Sequence, residues 1–240
     1  MTQSLKDRFQ RFVTKLDGFE NIDELLNDDD PHGKKRADYM FAGRSIIVEQ
    51  KTLEIDPNDK PQKFIDRLME DRPVVGYGRF STSEFLSKHP NGRKLYRDFI
   101  HKLTAVIEED VSNADKQTRD TRQIFSIPNA AGVLIVLNEA AHILDPQLIR
   151  YRLQNLLTKK LPDGSPRYPH NDLAITITEI HPVHVGTSSF ARFEAVISPT
   201  ASNRELALSF AERLKERLSA YCGRRFVGQI TPPKRNLYQE

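Results

Sequence analysis

The chain has one cysteine, Cys222, and no tryptophan. A lone thiol excludes an internal disulfide framework and fits a reducing cytosol. Charge of one sign is also scarce. With 36 basic and 33 acidic residues the net charge is only +3, so any nucleic-acid contact has to come from local patches. No apolar window approaches the length that spans a bilayer, and the start, MTQSLKDRFQRF, lacks the apolar stretch of a signal peptide. These absences lead to the expectation of a cytoplasmic protein without a membrane partner. No GxxxxGK[ST] phosphate loop occurs, which argues against an ATPase or helicase. The pair His181 and His184 has a proline between its members and no third ligand nearby, so it does not read as zinc. Nor does Cys222 have an evident His–Asp partnership that would make it a nucleophile.

What is there suffices for one domain. A hydrophobic fraction of 38% over 240 residues can bury a single core. Leu5, Phe9, Phe12, Val13 and Leu16, then Ile22, Leu25 and Leu26, predict helix over residues 3–26, broken near Gly18. A loop, NDDDPHGKKR, follows, and then a hairpin turning near Ala42-Gly43. PQKFIDRLMEDR predicts a short amphipathic helix, and the stripe Leu103, Val106, Ile107, Val111, Ala114, Thr121 predicts a long one from about Lys94 to Phe125. GVLIVLNE reads as a strand buried on both faces. Asp145 and Pro146 predict a helix start, DLAITITEI and FARFEAVI a second hairpin, and Ser202 with Glu205 a capping box opening a last helix that stops near Gly223. The order implies α/β layers around a mixed sheet with GVLIVLNE central.

The chemistry lies in residues 36–56, RADYMFAGRSIIVEQKTLEID. Side chains two apart on a strand share a face, so Glu49 and Lys51 point together at the end of an apolar run. A turn near Gly43 brings Asp38 alongside Val48 and Glu49. Two carboxylates that close raise one another's pKa unless a cation separates them, and a hard divalent ion is the natural one. The acid-x-Lys triplet occurs once in the chain, whereas about two would be expected by chance. Its position, not its existence, carries the signal. Without that position the pair would read as a cross-strand ion pair on a solvated face.

RADYMFAGRSIIVEQK resembles the core motif of the PD-(D/E)xK, or restriction-endonuclease-like, nuclease superfamily, in which an Asp opens one strand and a (D/E)-x-K triplet closes its hairpin partner. The motif's proline is Ala37 here. The resemblance covers about residues 20–140. It implies a restriction-endonuclease-like mixed β-sheet core flanked by helices, within one domain, 1–240, whose extension 141–240 adds a C-terminal hairpin and helix. It also implies a divalent-metal-dependent nuclease using Mg²⁺, for which Mn²⁺ substitutes, and acting on DNA rather than RNA. Asp38, Glu49 and the Gln50 backbone carbonyl would hold the metal, and Lys51 would serve the attacking water. The family often adds a glutamate from the first helix; Glu24 fits, with Glu20 in reserve. It also often places a polar residue on the following helix, here Gln117, which interrupts an apolar stripe, while its neighbour Lys116 points away.

Basic residues supply candidate nucleic-acid contacts: Lys34, Lys35 and Arg36 before Asp38, and Arg79, Lys88, Arg93 and Lys94 in a glycine-containing stretch between the triplet and the long helix. Arg119 and Arg122 read as a solvated helix face. Cutting both strands of a duplex would favour a homodimer. A second functional reading, a catalytically inactive nucleic-acid-binding or assembly module that keeps the nuclease fold, stands beside the enzyme.

Overall fold

The computed structural model describes residues 3–26, 35–57, 59–71 and 91–231. One mixed sheet of eight strands organises them: β1 (Glu20–Asn21), β2 (Tyr39–Phe41), β3 (Ile46–Leu53), β4 (Ala131–Asn138), β5 (Leu173–Val185), β6 (Ser188–Ile197) and β7 (Phe226–Val227) lie side by side in that order, with β8 (Ile230–Thr231) also paired to β6. Strands β1, β2 and β3 are antiparallel, β3, β4 and β5 run parallel, and β5 turns back antiparallel into β6.

β4 is the centre because its sequence can be buried on both sides. All eight of its residues are buried, and they divide by strand alternation. Val133, Ile135 and Leu137 pack with α1 (Leu5–Val13) and α7 (Arg204–Cys222). Leu134 and Val136 pack with α5 (Ala105–Ile124) and α6 (Pro146–Leu157). α3 (Asp59–Asp71) and α4 (Gly92–Leu103) extend the second layer, meeting through Phe64 and Phe99 at 5.3 Å between ring centroids. The short α2 (Ile22–Leu25) follows β1. Two layers of helix on a mixed sheet is the α/β arrangement expected from the sequence.

Several details differ from it. The predicted long helix is two, split at Thr104, whose hydroxyl bonds back to the Ile100 carbonyl at 2.7 Å. Residues 141–231 are no appendage: β5 to β8 form half the strands of the same sheet. Ser202 does not cap α7. Its N–H donates to Asp172 Oδ1 at 3.0 Å, and Asn203 takes the N-cap position without a side-chain bond. Asp172 is 2% exposed and also receives the Gly132 N–H at 2.8 Å and the Arg122 guanidinium at 3.0 Å. Arg122 is therefore a half-buried staple from α5 to the starts of β4 and β5 rather than a solvated cation. Asp145 does cap α6, accepting from the N–H groups of Gln147 and Leu148, and Gly223 closes α7 at φ 58°.

Gly132 shows how tightly this junction is packed: a Cβ there would overlap the His170 carbonyl oxygen and press on Thr118. Backbone cannot yield as a flexible side chain can. Gly132→Ala is expected to cost about 3 kcal/mol or more, read as a lowered urea midpoint, whereas Gly164→Ala, with nothing within 4 Å of its added Cβ but a backbone at φ 84°, costs only the left-handed strain of about 1–2 kcal/mol.

Candidate functional site

The site forms where β2 ends and β3 continues. β2 pairs over three residues, Tyr39 opposite Val48 through Phe41 opposite Ile46. Asp38 lies one step beyond; its N–H donates to the Val48 carbonyl at 3.1 Å, which sets it opposite Glu49. Its carboxylate then takes the place of strand backbone, Oδ2 accepting from the Gln50 N–H at 2.7 Å. The N–H and C=O of one strand residue face the same edge, so the Gln50 carbonyl also looks toward the edge that β2 has vacated.

Alternation sends Ile47, Glu49, Lys51 and Leu53 to the α5 side of the sheet, where Leu53 joins the apolar cluster of that layer. On α5 the positions Asp110, Ala114, Gln117 and Thr121 share one face by helical spacing. Thr121 Oγ1 accepts from the Ala37 N–H at 3.0 Å, and Gln117 Nε2 donates to the Arg36 carbonyl at 2.8 Å. The helix thus grips the backbone immediately before Asp38. A proline at 37 could donate no such bond.

Electrostatically the site is starved of cations. Glu49 is 1% exposed. Its Oε1 pairs with Lys51 Nζ at 2.5 Å, and its Oε2 is buried with no hydrogen-bond partner. Burial, and after it the neighbouring Asp38 charge, push the Glu49 carboxyl up to about 7 against the pull of Lys51 and of the nearby Gln117 amide. Burial likewise raises Asp38, opposed by the Gln50 N–H and Lys51. A third acid completes the group: burial drives Asp110 to about 6, with Lys51 as the opposing cation. Burial disfavours the Lys51 ammonium, yet Glu49, Asp38 and Asp110 together hold its pKa above the usual value. Beside these groups a cleft of about 280 Å³ opens over the free edge of β3, lined by Asp38, Tyr39, Gln50 and Lys51 and, from α1, by Lys6 and Gln10.

Of the residues singled out in the sequence, Asp38, Glu49, Gln50, Lys51 and Gln117 come together. Glu24 does not. It is exposed on α2 and accepts from Asn21 Nδ2 at 2.9 Å, whereas the charge felt by Asp38 from that helix is Asp23. Glu20 is taken by Arg44 at 2.8 Å. Arg36 pairs with Asp23 at 2.7 Å. Lys35, Arg93 and Lys94 are exposed, and Lys34, Arg79 and Lys88 lie outside the described residues. Asp110 was missed. It sits three residues after Ile107 and four before Ala114, on the stripe itself, and that placement was the available signal.

Among the described residues no three His, Cys, Asp or Glu side chains converge as a metal cluster, and no helix is long and apolar enough to cross a membrane. The donors that do meet, two carboxylates and one backbone carbonyl, are hard oxygens. That set suits Mg²⁺, which uses one or two carboxylates and keeps several waters. Comparisons with protein-family models, with curated proteins and with solved structures gave no match.

Two stability measurements check this geometry. The folded pKa of Glu49 lies above its usual 4.5, so between about 4.5 and 7 the native state holds the proton more tightly than the unfolded one, and stability falls as pH rises through that window. Glu49→Gln removes the buried charge. It should melt several degrees above the parent protein at pH 8, an advantage that disappears at pH 4. Thr121→Val orphans the Ala37 N–H and should cost about 1–3 kcal/mol in chemical denaturation.

Proposed function

We propose that this protein is a divalent-metal-dependent nuclease acting on DNA, with its mixed sheet a version of the restriction-endonuclease-like fold. The observation that carries the reading is Glu49: a carboxylate 1% exposed, with an orphaned oxygen, opposite a second half-buried carboxylate and beside a lysine. A fold gains nothing in stability from that arrangement, since leaving a buried acceptor unpaired is costly. The order of hairpin, helix α5 and next strand adds support, because the nuclease motif requires the helix where α5 stands.

Asp38, Glu49 and the Gln50 carbonyl would hold the ion, which when bound would polarise a phosphodiester and ease deprotonation of water. The chain's own groups do the positioning. Asp38 is fixed by the Gln50 N–H on one oxygen, leaving the other for a ligand. Lys51 presents an ammonium half-exposed to the cleft, where it can donate to an attacking water or to a phosphate oxygen. Gln117 holds the approach to Asp38 from behind. The open edge of β3 gives a backbone phosphate access without displacing any strand.

The alternative, a nucleic-acid-binding module without catalysis, draws on Lys51 already pairing with Glu49 and on Glu24 standing apart from the group. Incubation with linear, nicked, single-stranded and branched DNA plus Mn²⁺ separates the two. On the enzyme reading at least one substrate is cut, Lys51→Ala cuts about 10²-fold more slowly or not at all while still binding DNA, and Asp38→Ala loses the calorimetric Mn²⁺ signal. Binding of DNA with no cleavage of any substrate and no Mn²⁺ signal would leave the module reading.

A further inference from the structure

The group without a task in this scheme is Asp110. It is half-buried on α5, and among the described residues it makes no hydrogen bond or ion pair. The cation acting on it is Lys51. Its placement follows from the helix. Gln117 meets the Arg36 carbonyl, and Thr121 meets Ala37, so α5 runs against the direction of β3. Two turns back from Gln117, about 10 Å along the axis, Asp110 arrives over the stretch of β3 after Glu49, where Lys51 stands. Ala114, fully buried between them, leaves room on that face.

The charge count makes the placement matter. Asp38, Glu49 and Asp110 surround one ammonium. Lys51 Nζ leans on Glu49 Oε1 at 2.5 Å. A dication held by Glu49 competes for that oxygen and repels the ammonium.

We propose that Asp110 is the positioning residue for Lys51, the anion to which the ammonium transfers when a divalent cation takes Glu49, so that the amine stays charged and aimed at the cleft. This rests on the metal reading given above. Asp110 would thus act through Lys51 without itself ligating the ion. Two features support it: Asp110 shares the α5 face whose Gln117 and Thr121 bond the backbone entering Asp38, and α5 is anchored at those two points, so its reach over Lys51 is fixed rather than adventitious.

A double-mutant cycle reads the transfer without any activity assay. Wild type, Asp110→Asn, Lys51→Met and the double variant are melted at pH 8, first metal-free and then in saturating Mn²⁺. Metal-free, Lys51 is shared with Glu49 and the non-additivity in Tm is expected to be small, about 2 °C; in Mn²⁺ it should at least double. Calorimetric titration should give Asp110→Asn an Mn²⁺ affinity within about threefold of wild type, as expected for a residue that does not ligate the ion. If DNA is cut, kcat of Asp110→Asn falls about tenfold or more with KM unchanged, and Asp110→Glu recovers part of it. A coupling that does not grow with Mn²⁺ overturns the proposal, as does an Mn²⁺ affinity that drops as far as it does in Asp38→Ala, since Asp110 would then be a ligand. A flat titration in the wild type marks a different failure, that of the metal reading, and the proposal falls with it.

Discussion

A carboxylate taken out of water and only half satisfied is the constraint around which this end of the molecule is arranged. Glu49 lies on a strand whose apolar residues belong to the core, under a helix, with one oxygen on Lys51 and the other without a hydrogen bond. An isolated charge in such a place is untenable; it either takes up a proton or acquires a counter-charge. Lysine supplies part of that counter-charge and is itself penalised by burial. With Asp38 and Asp110 nearby, negative charge still exceeds positive. Three acids and one ammonium therefore share this corner of the sheet, and of the acids Asp38 lines the cleft beside it.

The rest of the fold sets up that deficit by controlling lengths. β2 begins only at Tyr39, so Asp38, one residue before it, can bond the Gln50 N–H by its side chain in place of a backbone ladder. β3 continues to Leu53, supported on its other edge by β4 over its whole length. Without that support an eight-residue strand with a bare edge would be free to fray or to pair elsewhere. β4 can give it because it is apolar on both faces and pinned at its start, where Asp172 receives Gly132, Arg122 and Ser202 together. The site at one end of the parallel strands thus depends on a buried polar junction at the other.

Much of this was legible in the sequence because it obeys simple periods. The unbroken apolar run announces β4, a period of two places Glu49 and Lys51 on one face, and the turn near Gly43 brings Asp38 alongside. Gln117 was found as a polar interruption of an apolar stripe. What stayed hidden depended on the angle at which α5 meets the sheet. Asp110 lies in IEEDVSNADK, beside two glutamates, and a run of acids on a helix ordinarily marks a solvated face. Arg122 looked solvated for the same reason, though it is 12% exposed at its side chain and closes the Asp172 junction. Ser202 shows the opposite error. Its spacing to Glu205 fits a capping box, but Asp172 is the nearer competitor for its N–H, and a tertiary bond prevailed over a local one.

Helix α5 resolves a conflict that the hairpin alone could not. A strand buried deeply enough to perturb a carboxylate must be covered, yet a site must stay open. Cover comes from Ile107, Val111, Ala114 and Thr118, all fully buried, while the opening lies to the side, past the end of β2. The helix places its polar groups at two-turn spacing among those apolar ones: Gln117 toward the backbone that enters Asp38, Asp110 toward the lysine that leaves Glu49. One rigid element therefore fixes the backbone that leads into Asp38. This is why the conformation of a loop need not be invoked to align it. The precision with which these side chains are placed is that of a helix packed on a sheet.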